Sequence, residues 1–191
     1  MTDRTDIRKL APPWNEVAES GLSGSAFLDV ANGGGQVLRG STPARVDEKG
    51  RLKIPAHFRQ AIEKKYFRSE PAAAASPEFY VTSIDGESIR LYPMPEWLKI
   101  EANLQGKSLF HPATAKLAVT TTYYGATATL DKQGRLLIPA HLRDRAGIVE
   151  EVCVLGQYTF LELWNRKKLE ERLKSNPLTP EDLKDLAGMG F

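Results

Sequence analysis

A thirteen-residue phrase occurs twice in this 191-residue chain, at a separation of 84 positions (131 − 47). The first copy reads Asp47-Glu48-Lys49-Gly50-Arg51-Leu52-Lys53-Ile54-Pro55-Ala56-His57-Phe58-Arg59. The second reads Asp131-Lys132-Gln133-Gly134-Arg135-Leu136-Leu137-Ile138-Pro139-Ala140-His141-Leu142-Arg143. Nine of the thirteen positions are identical: Asp, Gly, Arg, Leu, Ile, Pro, Ala, His and the final Arg. Such identity marks a duplicated supersecondary unit. The fold must accommodate two copies of one set of elements, and whatever the phrase does is done twice per chain.

Within each copy the residues dictate a local structure. Ser41–Val46 reads as a short strand entering Asp47. Glu48-Lys49-Gly50 turns the chain, with Gly50, like Gly134 in the second copy, free to take the positive φ of a tight turn. Asp47 and Asp131 fit the same turns as hydrogen-bond acceptors. Arg51-Leu52-Lys53-Ile54 alternates charged and apolar residues, the pattern of a half-buried strand. Leu52 and Ile54 then face inward and Arg51 and Lys53 share the outer face. Pro55 is placed as the first residue of a helix, on which Phe58 and Ile62 lie on one side. In the second copy Gly147 supplies a left-handed helix stop. Two strands follow each helix, Phe79–Thr82 with Ser88–Tyr92, and Glu151–Leu155 with Thr159–Trp164, aligned at an offset of 72 (164 − 92). The first copy therefore carries an insertion around Lys64–Pro77.

Helices are expected over Pro95–Leu104 and Arg166–Lys174. Another is placed over Pro112–Tyr123, although Val119-Thr120-Thr121-Thr122 is a poor helical run. Thr179-Pro180-Glu181-Asp182 has the composition of a cap and first turn. Residues 1–36, rich in Gly, Ser and Pro runs, read as a disordered or flexible extension with room for a short helix around Trp14–Glu19. The remaining boundaries are 37–93 for the first repeat, 94–125 for linking helices, 126–165 for the second repeat and 166–191 for a C-terminal helix and tail.

Charge is distributed unevenly. Net charge is only +2, but Arg45–Lys65 holds seven basic against three acidic residues and Thr129–Arg145 four against two. Met1–Gly40 has four basic against five acidic. Positive charge concentrated on both repeats points to an anionic partner. A single cysteine excludes an intramolecular disulfide framework and fits a reducing compartment. No apolar stretch reaches the length of a membrane span, and the N-terminal residues lack a secretory pattern. A cytoplasmic location is expected.

The phrase, Asp-x-x-Gly-Arg followed by a strand and Ile-Pro-x-x-x-Arg, resembles the AbrB-like swapped-hairpin fold. Two copies in one chain resemble the MraZ family of bacterial transcriptional regulators. Leu38-Arg39-Gly40, Leu91-Tyr92-Pro93-Met94-Pro95-Glu96-Trp97 and Phe160-Leu161-Glu162-Leu163-Trp164 extend the resemblance from about Leu38 to Trp164. It implies a β-rich α+β fold, a pseudo-dimeric double swapped-hairpin barrel with short helices. It also implies a ring-shaped homo-oligomer bound to short repeated boxes in double-stranded DNA, a likeness to regulators that act on the division and cell-wall gene cluster and on their own promoter. Nucleoid association follows from that. Carried over to this sequence, Arg51 and Arg135 are the implied principal DNA contacts. Lys49, Lys53 and Lys132 flank them as implied phosphate contacts, and Asp47, Gly50, Asp131 and Gly134 shape the loops.

Three departures qualify the likeness. Ala113-Thr114-Ala115-Lys116-Leu117 offers only Lys116 where family members carry an arginine-rich stretch. Leu137 stands where the first copy has Lys53, which implies a weaker second contact. The family-like opening falls at Val37-Leu38-Arg39-Gly40, which places an expected translation start near Val37.

Other constellations carry little chemistry. His57 and His141 occupy equivalent helix positions and read as polar residues of a first helical turn; with His111 and Cys153 they fall short of a metal site. Cys153, between Val152 and Val154, reads as a small core residue. Trp97 and Trp164 read as packing residues. No catalytic, cofactor or small-molecule signature emerges, so an enzyme is not expected. The rival reading is an antitoxin-like protein-binding module, against which two fused repeats and a short tail argue.

Overall fold

The computed structural model describes residues 37–67, 76–105 and 111–190. The expectations for residues 1–36, and for the part of the insertion over residues 68–75, lie outside the described residues.

Eight strands and six α-helices follow one another among the described residues. β1 (Leu38–Arg45), β2 (Arg51–Lys53), α1 (Ala56–Ile62), β3 (Glu78–Thr82) and β4 (Ser88–Pro93) form the first repeat. α2 (Met94–Gln105) and α3 (Pro112–Tyr123) link it to the second. There β5 (Ala126–Thr129), β6 (Arg135–Leu137), α4 (Ala140–Ala146), β7 (Glu151–Tyr158) and β8 (Phe160–Asn165) repeat the order. α5 (Arg166–Ser175) and α6 (Pro180–Gly188) complete the chain.

The strand pairing joins the two repeats throughout. The six-stranded sheet has the order β1-β7-β8-β4-β3-β5, and β2 pairs with β6 in a separate two-stranded ribbon. All recorded pairs are antiparallel. Exchanging each strand for its equivalent in the other repeat leaves this order unchanged, so a pseudo-twofold axis passes between β4 and β8 and between β2 and β6. Each repeat's first strand lies against the other repeat's hairpin. The registers Phe79↔Ala128 and Val152↔Ala44 are equivalent. They set β3 and β7 apart by 73 positions (152 − 79), one more than the offset of 72 expected from the sequence. The second hairpin strands keep 72, since Ile89↔Leu163 and Leu91↔Leu161 exchange under it.

The expected closed barrel is not formed. Strands β1 and β5 end the larger sheet, and the ribbon is hydrogen-bonded as a sheet of its own, joined to the end of β1 by the Val46–Leu52 bridge. The ribbon strands are only three residues long because each runs into an Ile-Pro step, and proline has no N–H to extend a ladder. Pro43 within β1 likewise suits an edge strand.

The alternation read from the phrase is realised. Leu52 and Leu136 have no exposed surface, and Ile54, Phe58, Ile62, Ile138 and Leu142 join the core beside Val81, Ile89, Leu91, Val154, Leu161 and Leu163. Each fully buried aliphatic side chain of this kind contributes about 1.5–3 kcal/mol. Pro55 differs by one position from expectation. It is the N-cap, with φ −53° and an extended ψ of 137°, and its carbonyl accepts from Arg59 N at 3.0 Å. Pro139 does the same, accepting from Arg143 N at 3.1 Å.

The two helices end differently for a readable reason. Gly147 closes α4 at φ 69°. Glu63 holds the corresponding place in the first copy, and there the chain continues as a π-helical turn over Glu63–Phe67. α3 forms despite its threonines because tertiary bonds outweigh propensity. The carbonyl of Thr121 accepts from Tyr80 Oη at 3.1 Å and from Thr82 Oγ1 at 3.0 Å.

Candidate nucleic-acid interface

The two loops of the phrase have the same geometry. Asp47 Oδ1 accepts from Lys49 N (3.0 Å) and Arg51 N (2.9 Å), while Oδ2 accepts from Arg51 Nε at 2.8 Å. Asp131 Oδ1 accepts from Gln133 N (2.8 Å) and Arg135 N (2.9 Å), and Oδ2 from Arg135 Nε at 2.8 Å. Each aspartate thus folds its own turn and holds its own arginine. The backbone N–H of Arg51 is the leading reason that the Asp47 carboxyl titrates below the ordinary range; burial opposes it, and the Arg51 guanidinium adds to the lowering. The N–H of Arg135 leads in the same way at Asp131.

The glycines serve the turns in two ways. Gly50 sits at φ 79° and Gly134 at φ 73°, where a side chain is strained. Each is also covered by an arginine from the other repeat. A Cβ on Gly50 would stand 2.7 Å from Arg143 Nε, and one on Gly134 would stand 2.8 Å from Arg59 Nη1. Ile138 N donates to Gly50 O at 2.9 Å, and Ile54 N donates to Gly134 O at 3.1 Å. Arg143 Nε donates in turn to Ile138 O at 3.1 Å. Every turn is therefore braced by the opposite copy.

The ribbon sets the outward side chains together. Arg51 lies opposite Leu137, Leu52 opposite Leu136, and Lys53 opposite Arg135. Residues facing one another in an antiparallel pair share a face, and alternate residues along a strand share it too. With Leu52 and Leu136 buried, the opposite face presents Arg51, Lys53, Arg135 and Leu137. The arginine side chains are 31% and 26% exposed, whereas Lys53 and Leu137 are well exposed. Lys49 and Lys132 stand exposed on the adjoining loops.

Arg59 and Arg143 were not singled out as site residues in the sequence. Their only signal was their identity at the last position of both copies. Nothing in a linear reading indicates that each reaches the other copy's turn.

The remaining candidates fall outside this face or differ from expectation. Cys153 is not a core residue. Val152 and Val154 take the buried side of β7, so the intervening Cys153 points to the other face, where its Sγ lies 2.9 Å from Ser41 Oγ. His57 and His141 are not environmentally equivalent. His57 is half-buried with Nε2 3.5 Å from Thr42 Oγ1, and burial lowers its pKa, whereas His141 is exposed. Among the described residues no group of three or more His, Cys, Asp or Glu side chains could hold a metal ion. No described helix is long and apolar enough to cross a membrane. Trp97 packs in the interior, stacked on Tyr80 with ring centres 4.0 Å apart, and Trp164 is also buried.

Comparison with known proteins agrees with these repeats. Residues 37–119 and 124–183 match the family model described as "MraZ protein, putative antitoxin-like". A protein of Koribacter versatilis (strain Ellin345) named transcriptional regulator MraZ is 41% identical over 155 residues, covering 81% of this chain and 100% of its own length. A protein of the same name from Acidobacterium capsulatum is 38% identical over 155 residues, with the same coverage of 81% and 100%. One from Nitrosospira multiformis is 32% identical over 139 residues, covering 73% of this chain and 88% of its own length.

Proposed function

The chain belongs to the MraZ family, and from that premise we propose that it is a transcriptional regulator whose β2–β6 ribbon binds double-stranded DNA sequence-specifically. The observation that carries this reading is the placing of pseudo-twofold-related Arg51 and Arg135, with Lys53, on one solvent-facing side of the ribbon. A two-stranded ribbon fits the major groove, about 12 Å wide. There a guanidinium can bond both acceptors of a guanine edge. The aspartates bond Nε of each arginine, which leaves the Nη donors of the fork for a ligand. Because Asp47 and Asp131 offset the charge of those arginines and Glu48 offsets one lysine, a net charge of +2 remains from Lys49, Lys53 and Lys132, the natural phosphate contacts.

The exchange of first strands between repeats supports the swapped-hairpin description and the pseudo-dimeric character of one chain. One ribbon makes few contacts and binds weakly alone. A homo-oligomeric ring presenting several ribbons to spaced repeats would bind tightly through effective concentration. On the family resemblance, the repeats lie in the promoter of the division and cell-wall cluster and the action is repression, with the protein on the nucleoid.

The test is a gel shift against promoter DNA from that cluster across a salt series. Arg51→Ala should weaken binding at least tenfold, and Lys53→Ala should flatten the salt slope by about one. Binding unchanged in both variants contradicts the assignment. A small protein that co-purifies while promoter DNA is ignored would favour the antitoxin-like module.

A further inference from the structure

We propose that Leu137 is a specificity-determining residue that makes the ribbon directional, contacting a thymine methyl group at one end of the bound site. This rests on the DNA-binding reading above. The pseudo-twofold maps Arg51 onto Arg135, Leu52 onto Leu136 and Lys53 onto Leu137. Only the last of these pairs departs from symmetry. A strictly twofold reading face would favour a palindromic target, because the symmetry of a binding site mirrors that of the protein. The Lys53/Leu137 difference breaks that symmetry on the ribbon's reading face; in the adjoining turns Glu48 corresponds to Lys132 and Lys49 to Gln133, but phosphate contacts there set register and carry no base information.

The four side chains make two unlike ends. Leu137 stands opposite Arg51, so this end offers one guanidinium and one isobutyl group. Lys53 stands opposite Arg135, so the other end offers two cations. Opposite Cβ atoms are about 5 Å apart, and alternate residues of one strand are separated by about 6.8 Å, close to two base-pair steps of 3.4 Å. Neighbouring side chains of the ribbon can therefore address nearby bases. The thymine C5-methyl is the apolar group that the major-groove edges display. Leu137 keeps 56% of its surface exposed amid these cations. A scattered surface leucine is ordinary; this one occupies a reading position whose counterpart is lysine. Its contact with thymine at one end, and the contact of Lys53 with a guanine edge or phosphate at the other, give the site a polarity.

The experiment selects duplexes from a randomised library with the full-length protein. The wild type should return a non-palindromic consensus containing a thymine, and replacing that thymine by deoxyuridine, which lacks the methyl, should weaken binding about fourfold. Leu137→Lys should abolish the deoxyuridine effect, steepen the salt slope by about one and move the consensus toward a palindrome. The fold should tolerate this change, since Lys53 already occupies the equivalent place opposite Arg135. Lys53→Leu should also yield a palindrome, with thymine at both ends. Specific binding by the wild type with a palindromic consensus, or a thymine preference that survives Leu137→Lys, overturns the role of Leu137 and leaves the DNA-binding reading standing. Failure of the wild type to enrich any duplex overturns both.

Discussion

Replacing Gly50 by alanine tests whether the two repeats brace one another's turns. At φ 79° an alanine carries the left-handed backbone penalty, about 1–2 kcal/mol. The new Cβ would also meet the Arg143 guanidinium, whose Nε, Cζ and Nη2 would lie 2.7–2.9 Å away. Backbone cannot yield there as readily as the side chain, so Arg143 must withdraw and release its bond to Ile138 O, 3.1 Å long. A hydrogen bond to a charged donor is worth about 1.5–3 kcal/mol, and partial exposure places this one at the lower end. The expected destabilisation is about 3 kcal/mol, a fall of roughly 6–12 °C in Tm for a chain of this size. Gly40→Ala supplies the control: its φ is 92° but a Cβ there meets nothing within 4 Å, so only the backbone penalty applies. Urea unfolding at fixed protein concentration, followed by tryptophan fluorescence, measures both, and Arg143→Ala with Gly50→Ala closes a double-mutant cycle. If Gly50→Ala costs no more than Gly40→Ala, or the cycle is additive, the cross-repeat brace is refuted.

Two further outcomes follow from the same geometry. The carboxyls of Asp47 and Asp131 titrate below their ordinary range in the folded chain. Their contribution is therefore complete above the ordinary carboxylate range and is lost as pH falls through the lowered folded values. The stability gap between wild type and an Asp47→Asn/Asp131→Asn double variant should shrink as unfolding is repeated at progressively lower pH, and a constant gap contradicts the loop account. Glu162, 8% exposed, accepts from Ser88 Oγ at 2.9 Å and pairs with Arg90 Nε at 3.4 Å. Glu162→Ala removes the acceptor of Ser88 Oγ and the nearest carboxylate of Arg90, which keeps the Phe160 ring 5.3 Å from its Cζ, and should cost about 2 kcal/mol in urea unfolding, whereas a loss under 1 kcal/mol would show that the pair is not structural.

Periodicity made much of this architecture readable in advance. Alternation in Arg51-Leu52-Lys53-Ile54 placed Leu52 and Ile54 in the core, and the helix over Phe58 and Ile62 followed from spacing alone. Local chemistry also announced the Gly147 stop, and the Thr179–Asp182 capping box that opens α6. Long-range pairing was the harder part. No local signal distinguishes a β1 that lies beside its own hairpin from one that lies beside β7; the closed barrel was implied by the family resemblance alone, and the sheet is open with six strands. The placing of Cys153 failed for a related reason. A strand buried on one side sends alternate residues outward, and two flanking valines already occupied the inner side. Of the candidate site, the outward face of each ribbon strand was legible, but the grouping of Arg51, Lys53, Arg135 and Leu137 was not, because it depends on the register Arg51↔Leu137. Arg59 and Arg143 escaped notice because their partners lie in the other copy.

The palindromic order of the larger sheet bears on how the chain can be divided. A fragment cut between α2 and α3 would hold β1 with no β7 to receive it, and a Leu52 whose partner Leu136 had left with the other piece. Neither piece is a self-sufficient folding unit. The covalent linker converts what would be a concentration-dependent association of two halves into an internal event, so the β2–β6 ribbon assembles within one chain at any dilution.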